Sequence, residues 1–333
     1  MSILNSNNFL YKTVDDVKQF FSPLVNASTV VLKDGSRLEK DGKIYADQAV
    51  NAENAVNATN AENSAMLGGK ESKYYIQPRN LLDNSDFTNP INQRGQTNYT
   101  GSQYMIDRWR MWEANHTLTI NDGDITISGN MYQYVECKFI KNKTYTLAAM
   151  KTDGTIIVFS RNPYHDFASN EFGLGLGYDS NLIEGITVIM LQSGSYKWAA
   201  LYEGEYTADN LPPYVPKGYA VELAECQRYF ERFVANAAWH IFAFGAVTKS
   251  GNKATFQFNY AKKRIQSPTL NMSGNFCVIH DGTTMTPTSW TWSNANDNSM
   301  LIDAVITGVT LGKAVYIQAR NDTSAYIDIS ADL

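Results

Sequence analysis

The sequence predicts a mainly β protein built in series: a small N-terminal head, a repetitive shaft, a jelly-roll β-sandwich, a short helix and a C-terminal β-sandwich. Three observations predict it. Short runs of alternating apolar and polar residues, broken by turns, fill most of the chain beyond residue 80. A strict Ala triplet occupies residues 46–61. Charged residues make up only 18%, against roughly 25% in an average globular protein. Polarity comes instead from Asn, Ser, Thr and the 20 Tyr.

Residues 1–45 form the head. Thr13 and Asp16 resemble a capping box, and Val14, Val17 and Phe21 predict a short amphipathic helix that stops at Pro23. Val30 to Leu38 reads as a hairpin about Lys33-Asp34-Gly35, and Lys40-Asp41-Gly42-Lys43 as a second turn. The piece is too small for a large core of its own.

Residues 46–79 form a shaft and linker. Ala46, Ala49, Ala52, Ala55, Ala58 and Ala61 recur every third position, and Asn51, Asn54, Asn57, Asn60 and Asn63 keep the same period. An α-helix turns about 100° per residue, so these Ala would spiral round it without forming a stripe. A strand, with period two, would face alternate Ala the wrong way. A polyproline-like helix, with three residues per turn, puts every Ala on one side. The absence of Gly and Pro excludes collagen, and there is no heptad seam. Two readings remain: a shaft in which three chains wind about a crowded axis, or a polar linker. The shaft is the expectation carried forward. Leu67-Gly68-Gly69-Lys70 ends it.

Residues 80–234 are expected to be a sandwich. Its strands are Leu118–Ile120, Ile125–Ile127, Tyr132–Phe139, Tyr145–Met150, Thr155–Phe159, Gly173–Tyr178, Ile186–Leu191 and Tyr196–Tyr202. Pro212-Pro213 and Pro216 then lead into a helix whose apolar face is Leu223, Cys226, Phe230 and Phe233, with Glu222 and Glu225 in its first turn. Residues 235–333 form the second β region. Its strands fall near Trp239–Val247, Ala254–Tyr260, Thr269–Met272, Ser289–Trp292, Met300–Ile306, Val315–Ala319 and Tyr326–Ile329.

Composition narrows the function. The net charge is −5 and no long basic run occurs, which argues against nucleic acid as a partner. Cys137, Cys226 and Cys277 are far apart and in no metal-binding spacing, so they read as buried free thiols. The N-terminus lacks the basic and apolar segments of a signal peptide, and no run is long enough to span a bilayer. The expectation is a protein made and folded in a cytoplasm, with no membrane insertion.

Three stretches together resemble one family. Asn80-Leu81-Leu82-Asp83-Asn84-Ser85-Asp86-Phe87, continuing through Asn92-Gln93-Arg94-Gly95 to Asp107-Arg108-Trp109, resembles the opening of a β-sandwich domain in bacteriophage tail fibres. Tyr196-Lys197-Trp198 through Gly204, with Glu222-Leu223-Ala224-Glu225-Cys226-Gln227-Arg228-Tyr229-Phe230, is similar to its close. Ala261-Lys262-Lys263-Arg264, Ser267-Pro268-Thr269-Leu270 and Tyr326 to Leu333 look like the C-terminal fibre domain. The resemblance implies a homotrimeric tail fibre or receptor-binding protein of a phage or phage-tail-like bacteriocin, located in the virion tail. Residues 1–45 would attach it to a baseplate or another fibre protein. The distal β domains, the first of them similar to carbohydrate-binding modules, would touch bacterial surface polysaccharide or teichoic acid. The alternatives are a structural connecting fibre and a glycan-degrading tail enzyme.

A glycan site needs flat aromatic faces beside amide or carboxylate groups. Trp290 and Trp292, two apart on a strand, share a face, and Asn294 and Asn296 follow. They form either a binding platform or a core or interface pair. Tyr164, His165 and Asp166, in the loop Arg161–Phe167, are a second candidate, with an ordinary hairpin loop as the alternative. Asp107, Arg108 and Trp109 are expected to serve the sandwich core and an internal ion pair, and Arg228 to bond buried carbonyls. The four dispersed His fit no nucleophile or HExxH motif, and Asn121-Asp122-Gly123-Asp124 reads as a hairpin turn and not a calcium loop. No catalytic residues, metal or cofactor are expected.

Overall fold

A computed structural model describes residues 78–136, 142–178, 186–249 and 252–332, together with six short strands nearer the N-terminus. The chain divides into two compact units, residues 1–77 and 78–333.

In the first unit, Leu10–Val14 pairs antiparallel with Val17–Phe21, Val14 opposite Val17. This replaces the helix expected over Val14, Val17 and Phe21. Both runs are rich in β-branched and aromatic residues, and only two residues of sequence separate them, which favours a hairpin over the apparent capping box. Glu39–Lys40 pairs with Lys43–Ile44 about Asp41-Gly42, as the Asp-Gly signal predicts. Met66–Leu67 pairs with Lys70–Glu71 about Gly68-Gly69. The triplet Ala46–Ala61 and the hairpin about Lys33-Asp34-Gly35 lie outside the described residues.

The second unit is mainly β. Its first part is two antiparallel sheets. One has six strands in the order Ile156–Arg161, Tyr145–Lys151, Gly194–Glu203, Asp124–Ser128, Thr117–Asn121, Asn98–Thr100. The other has five: Ala168–Ser169, Leu174–Tyr178, Ile186–Leu191, Met131–Glu136, Trp109–Met111. Alternation sends Leu118, Ile125, Leu147 and Leu201 from one sheet and Trp109, Met131, Leu176 and Ile189 from the other into a single core. The expected strands start within about two residues of their predicted places; the end of Tyr132–Phe139, beyond Glu136, lies outside the described residues. The three-residue strands at Asn98 and Trp109 were too short to read as alternation.

Asp107-Arg108-Trp109 serves the core, but not through a mutual ion pair. Trp109 is fully buried, its ring 5.3 Å from Phe87, and its Nε1–H donates to Asn84 O at 2.7 Å. Arg108 pairs with Asp83 at 3.0 Å and lies flat on the Tyr229 ring at 3.4 Å, while Asp107 pairs with Arg94 at 3.0 Å. The left-handed backbone of Arg108 (φ 73°) turns neighbouring side chains to different partners.

The helix runs only over Tyr219–Gln227. Phe230 and Phe233, expected on its face, belong to the strand Phe230–Val234, which pairs with Tyr326–Ser330. Register with a strand almost a hundred residues away decided this, and no local window contains it. The helix buries Cys226 and Glu222 instead, and Glu222 accepts from the Asn84 amide. The Arg228 side chain is exposed, not buried as a donor to carbonyls, although its own carbonyl accepts from Arg264 N at 3.0 Å. Cys226 and Cys277 are buried free thiols, as expected; Cys137 lies outside the described residues.

The second part is a seven-stranded antiparallel sheet backed by a three-stranded one, with Phe256, Ile302, Ile317, Ile327 and Ile329 in a shared core. The strands Phe276–His280 and Thr283–Met285 join the expected set. A buried polar seam ties the two parts. Arg94 reaches Asp107 at 3.0 Å and Asp332 at 2.7 Å, with its guanidinium 3.7 Å over the Phe230 ring. Gln93 Nε2 donates to both Asp107 and the Phe230 carbonyl at 2.8 Å. Arg232 forks onto Asp328 at 2.7 and 2.8 Å and donates to the Arg94 carbonyl. Glu136 accepts from Arg264 and from the Tyr229 hydroxyl. The planar, always charged guanidinium suits such shared, water-poor contacts.

Candidate functional site

The two sandwich sheets differ on their outer faces. On the six-stranded sheet, Ala148, Trp198, Ala200 and Tyr202 are covered by Tyr206, Leu211 and Tyr214, and Trp198 stacks parallel on Tyr214 at 4.7 Å. On the outer side of the five-stranded sheet lies a groove of about 260 Å³, lined by Trp112, Tyr132, Tyr134, Phe167 and Val188.

Alternation builds this groove. Trp109, Met111, Met131 and Val135 point into the core, which turns Arg110, Tyr132 and Tyr134 outward. Register then sets Tyr132 beside Arg110 on one side and Met190 on the other, and Tyr134 beside Val188. Trp112 follows the edge strand and meets Tyr134 edge-on at 6.2 Å and 90°. Phe167 forms the opposite wall, 6.5 Å from Tyr132.

Two glycines seat Phe167. A Cβ on Gly175 would stand 2.5 Å from Phe167 Cζ, and one on Gly177 2.5 Å from Phe167 Cα. At Gly177 the clash is with backbone, so a side chain there would lift the loop from the sheet; at Gly175 it is with side chains, first the end of the Phe167 ring. Phe167 N donates to Tyr178 O at 3.0 Å, and Tyr178 N to His165 O at 2.9 Å. Trp112 remains 45% and Phe167 37% exposed, so two rings face solvent across a floor of buried Tyr134 and Val188. Burial pushes the Tyr132 phenol up, against a smaller pull from Asn130, which keeps it neutral and able to donate or accept.

At the rim, the Arg110 guanidinium lies 4.1 Å over the Trp112 ring and 5.6 Å from that of Tyr104. Its Nε–H is buried without an acceptor.

Of the sequence candidates, Tyr164, His165 and Asp166 are exposed in the loop directly before Phe167. Asn162 shapes that loop, its Oδ1 accepting from Tyr164 N at 3.0 Å. Trp290 and Trp292 share a face of the edge strand Ser289–Ser293, opposite the buried Ala304 and Ile302. Trp290 packs into the core, 6.5 Å from Phe256 and 6.3 Å from Phe276, while Trp292, farther along the strand, is 46% exposed. Asn296 commits its amide to the turn, accepting from Asn298 N and Ser299 N at 2.9 Å each and donating to Ser299 Oγ. Asn294 is exposed with a left-handed backbone (φ 50°). The structure therefore keeps the two tryptophans on one face but gives them different surroundings.

Sequence reasoning missed Arg110, Trp112, Tyr132, Tyr134 and Phe167 as a group. The signal was present in Arg110-Met111-Trp112 and Tyr132-Gln133-Tyr134, the same i, i+2 pattern that singled out Trp290 and Trp292. Their adjacency, however, depends on strand register.

Asp83, Glu222 and Glu225 bring carboxylate oxygens within 4.8 Å of one another. Lys217 Nζ already stands among them, 3.3 Å from Asp83, 3.9 Å from Glu222 and bonded to Glu225. Burial would raise the Asp83 carboxyl, but Arg108 and Lys217 outweigh it and hold it below the usual range. The cluster is a neutralised structural network.

No protein-family model, curated protein or solved structure matches the chain.

Proposed function

We propose that the chain is a homotrimeric tail fibre or receptor-binding protein that attaches a phage or bacteriocin particle to bacterial surface glycans. The observation that carries this reading is the open aromatic groove on the five-stranded sheet. Opposed rings of Trp112 and Phe167 offer apolar faces to the C–H surface of a sugar, and the half-buried Tyr132 beside them offers a neutral phenol to its hydroxyls. A groove of about 260 Å³ suits one or two sugar units.

Such a contact is weak alone. Three copies on one shaft, and several fibres on one particle, multiply it by effective concentration, by about 10²- to 10⁴-fold. In this reading Ala46–Ala61 bundle the three chains, residues 1–45 hold the baseplate or a neighbouring fibre, and the particle's tail is the protein's place of work.

The test is a glycan array combined with whole-cell binding, using the full chain and its Trp112→Ala variant. The expected result is binding that the variant loses while keeping its melting temperature. Light scattering should give three times the chain mass; a monomer at micromolar concentration overturns the shaft. Failure to bind any cell or polysaccharide would favour a connecting fibre. New reducing ends on incubation with wall polysaccharide would favour an enzyme.

A further inference from the structure

Resting on the glycan-binding reading above, we infer that the sandwich groove selects acidic saccharides, those bearing a carboxylate or phosphate, and that Arg110 is the residue that reads the anion.

Arg110 carries a charge that the fold holds by ring contacts but does not pair with an acid. Register sets it beside Tyr132 on the groove side of the sheet, and its guanidinium is stacked 4.1 Å over Trp112, which lines the groove. Among the described residues, no carboxylate pairs with it and no oxygen accepts from its N–H groups, unlike Arg94, Arg108, Arg232 and Arg264, each of which holds an acid. Its Nε–H is shut off from solvent and still has no acceptor. An unsatisfied buried donor on a charged group is costly, so such groups in folded proteins ordinarily have partners.

Stacking on Trp112 holds the guanidinium by its face, and with Nε–H enclosed it is the terminal Nη1/Nη2 edge that is left to bind an oxyanion in a two-bond fork. The acid nearest along the chain, Glu113, turns toward His116, whose Nε2 lies 3.3 Å from its carboxylate. His116 Nδ1 accepts from Asn130 N at 3.2 Å, which leaves Nε2 on the Glu113 side of the ring. Sugar faces against Trp112 and Phe167, with a ring substituent's oxyanion on Arg110, would use every group of the rim. A uronate carboxylate and a polyol phosphate present the same oxygen pair, so the chemistry assigned is the oxyanion on a glycan chain.

The test measures binding of the full-length protein to polygalacturonate, poly(glycerol phosphate) and neutral dextran, with wild type, Arg110→Met and Arg110→Lys. Wild type should bind at least one acidic polymer more tightly than dextran, and rising salt should weaken that binding. Arg110→Met should lose about 10- to 100-fold on the acidic polymer, as expected for charge-assisted bonds, with little change on dextran. Arg110→Lys should recover part of the loss, since it keeps charge without the fork. Whichever acidic polymer binds identifies the source of the anion. Dextran bound as well as both acidic polymers, or Arg110→Met binding them like wild type, overturns the anion assignment and leaves glycan recognition standing. No binding to the three polymers or to any glycan or cell overturns both. Competition of wild-type binding by free galacturonate or glycerol phosphate, followed through Trp fluorescence, tests the same assignment without a variant; no competition counts against it.

Discussion

Arg94 Nη2 meets Asp332 Oδ2 at 2.7 Å across 238 residues of sequence, while its Nη1 holds Asp107 at 3.0 Å. One guanidinium thus bridges two buried carboxylates, one beside each β core. Burial raises both acids, with Arg94 pulling each back. Removing the cation strands two charges in a site closed by Phe230.

Arg94→Met should therefore destabilise residues 78–333 by about 3–5 kcal/mol, the range for breaking a buried ion pair by deleting one partner. Chemical denaturation measures it. The loss should be smaller at pH 5 than at pH 8, because protonation then relieves the stranded acids. A pH-independent loss would point to packing on Phe230 as the main role of Arg94.

Asp107 gives a second pH signature. Burial, opposed by Arg94 and Gln93, pushes its carboxyl up from 3.8 to about 6. Between pH 4 and 6 the folded protein keeps a proton that the unfolded chain has released. Raising pH through that window therefore weakens the fold on this group's account; below it the contribution is absent, and above it complete. Asp107→Asn removes the term. Its melting temperature relative to wild type should climb from pH 4 to pH 6 and then level off.

Trp290 and Trp292 should separate. Trp290→Ala opens a cavity against Phe256 and Phe276 and should cost about 2–4 kcal/mol, with a clear drop in melting temperature. Trp292→Ala, at a half-exposed position, should cost less than about 1 kcal/mol. If Trp292→Ala weakens cell binding at unchanged melting temperature, a second contact surface lies at that edge strand.

Gly175→Ala probes the groove wall. The new methyl meets the end of the Phe167 ring, which can swing away, so stability should fall by no more than about 1 kcal/mol. Glycan binding should fall several-fold, because the wall opposite Trp112 has moved. Retained affinity in this variant would mean that Phe167 does not touch the ligand.

The sequence made the β class, most strand positions and the Asp-Gly hairpin legible, because each depends on a few adjacent residues. What it hid depends on distance. The helix ended at Gln227 because Phe230 and Phe233 found Tyr326–Ser330, and Asp107 chose Arg94 over its neighbour Arg108. The groove was hidden for the same reason. Arg110, Tyr132 and Phe167 carry no shared motif, and they meet only once strands from three parts of the chain are in register.

The seam also sets a clock. Asp332 is synthesised 238 residues after Arg94, so at ordinary translation speeds of about 5–20 residues per second the junction waits roughly 10 to 50 seconds for its last partner. Until then the sandwich emerges with the Phe230 edge uncovered and Asp107 as the only acid on Arg94. Through that interval the partly made chain carries its sandwich with the joint to the second β part still open.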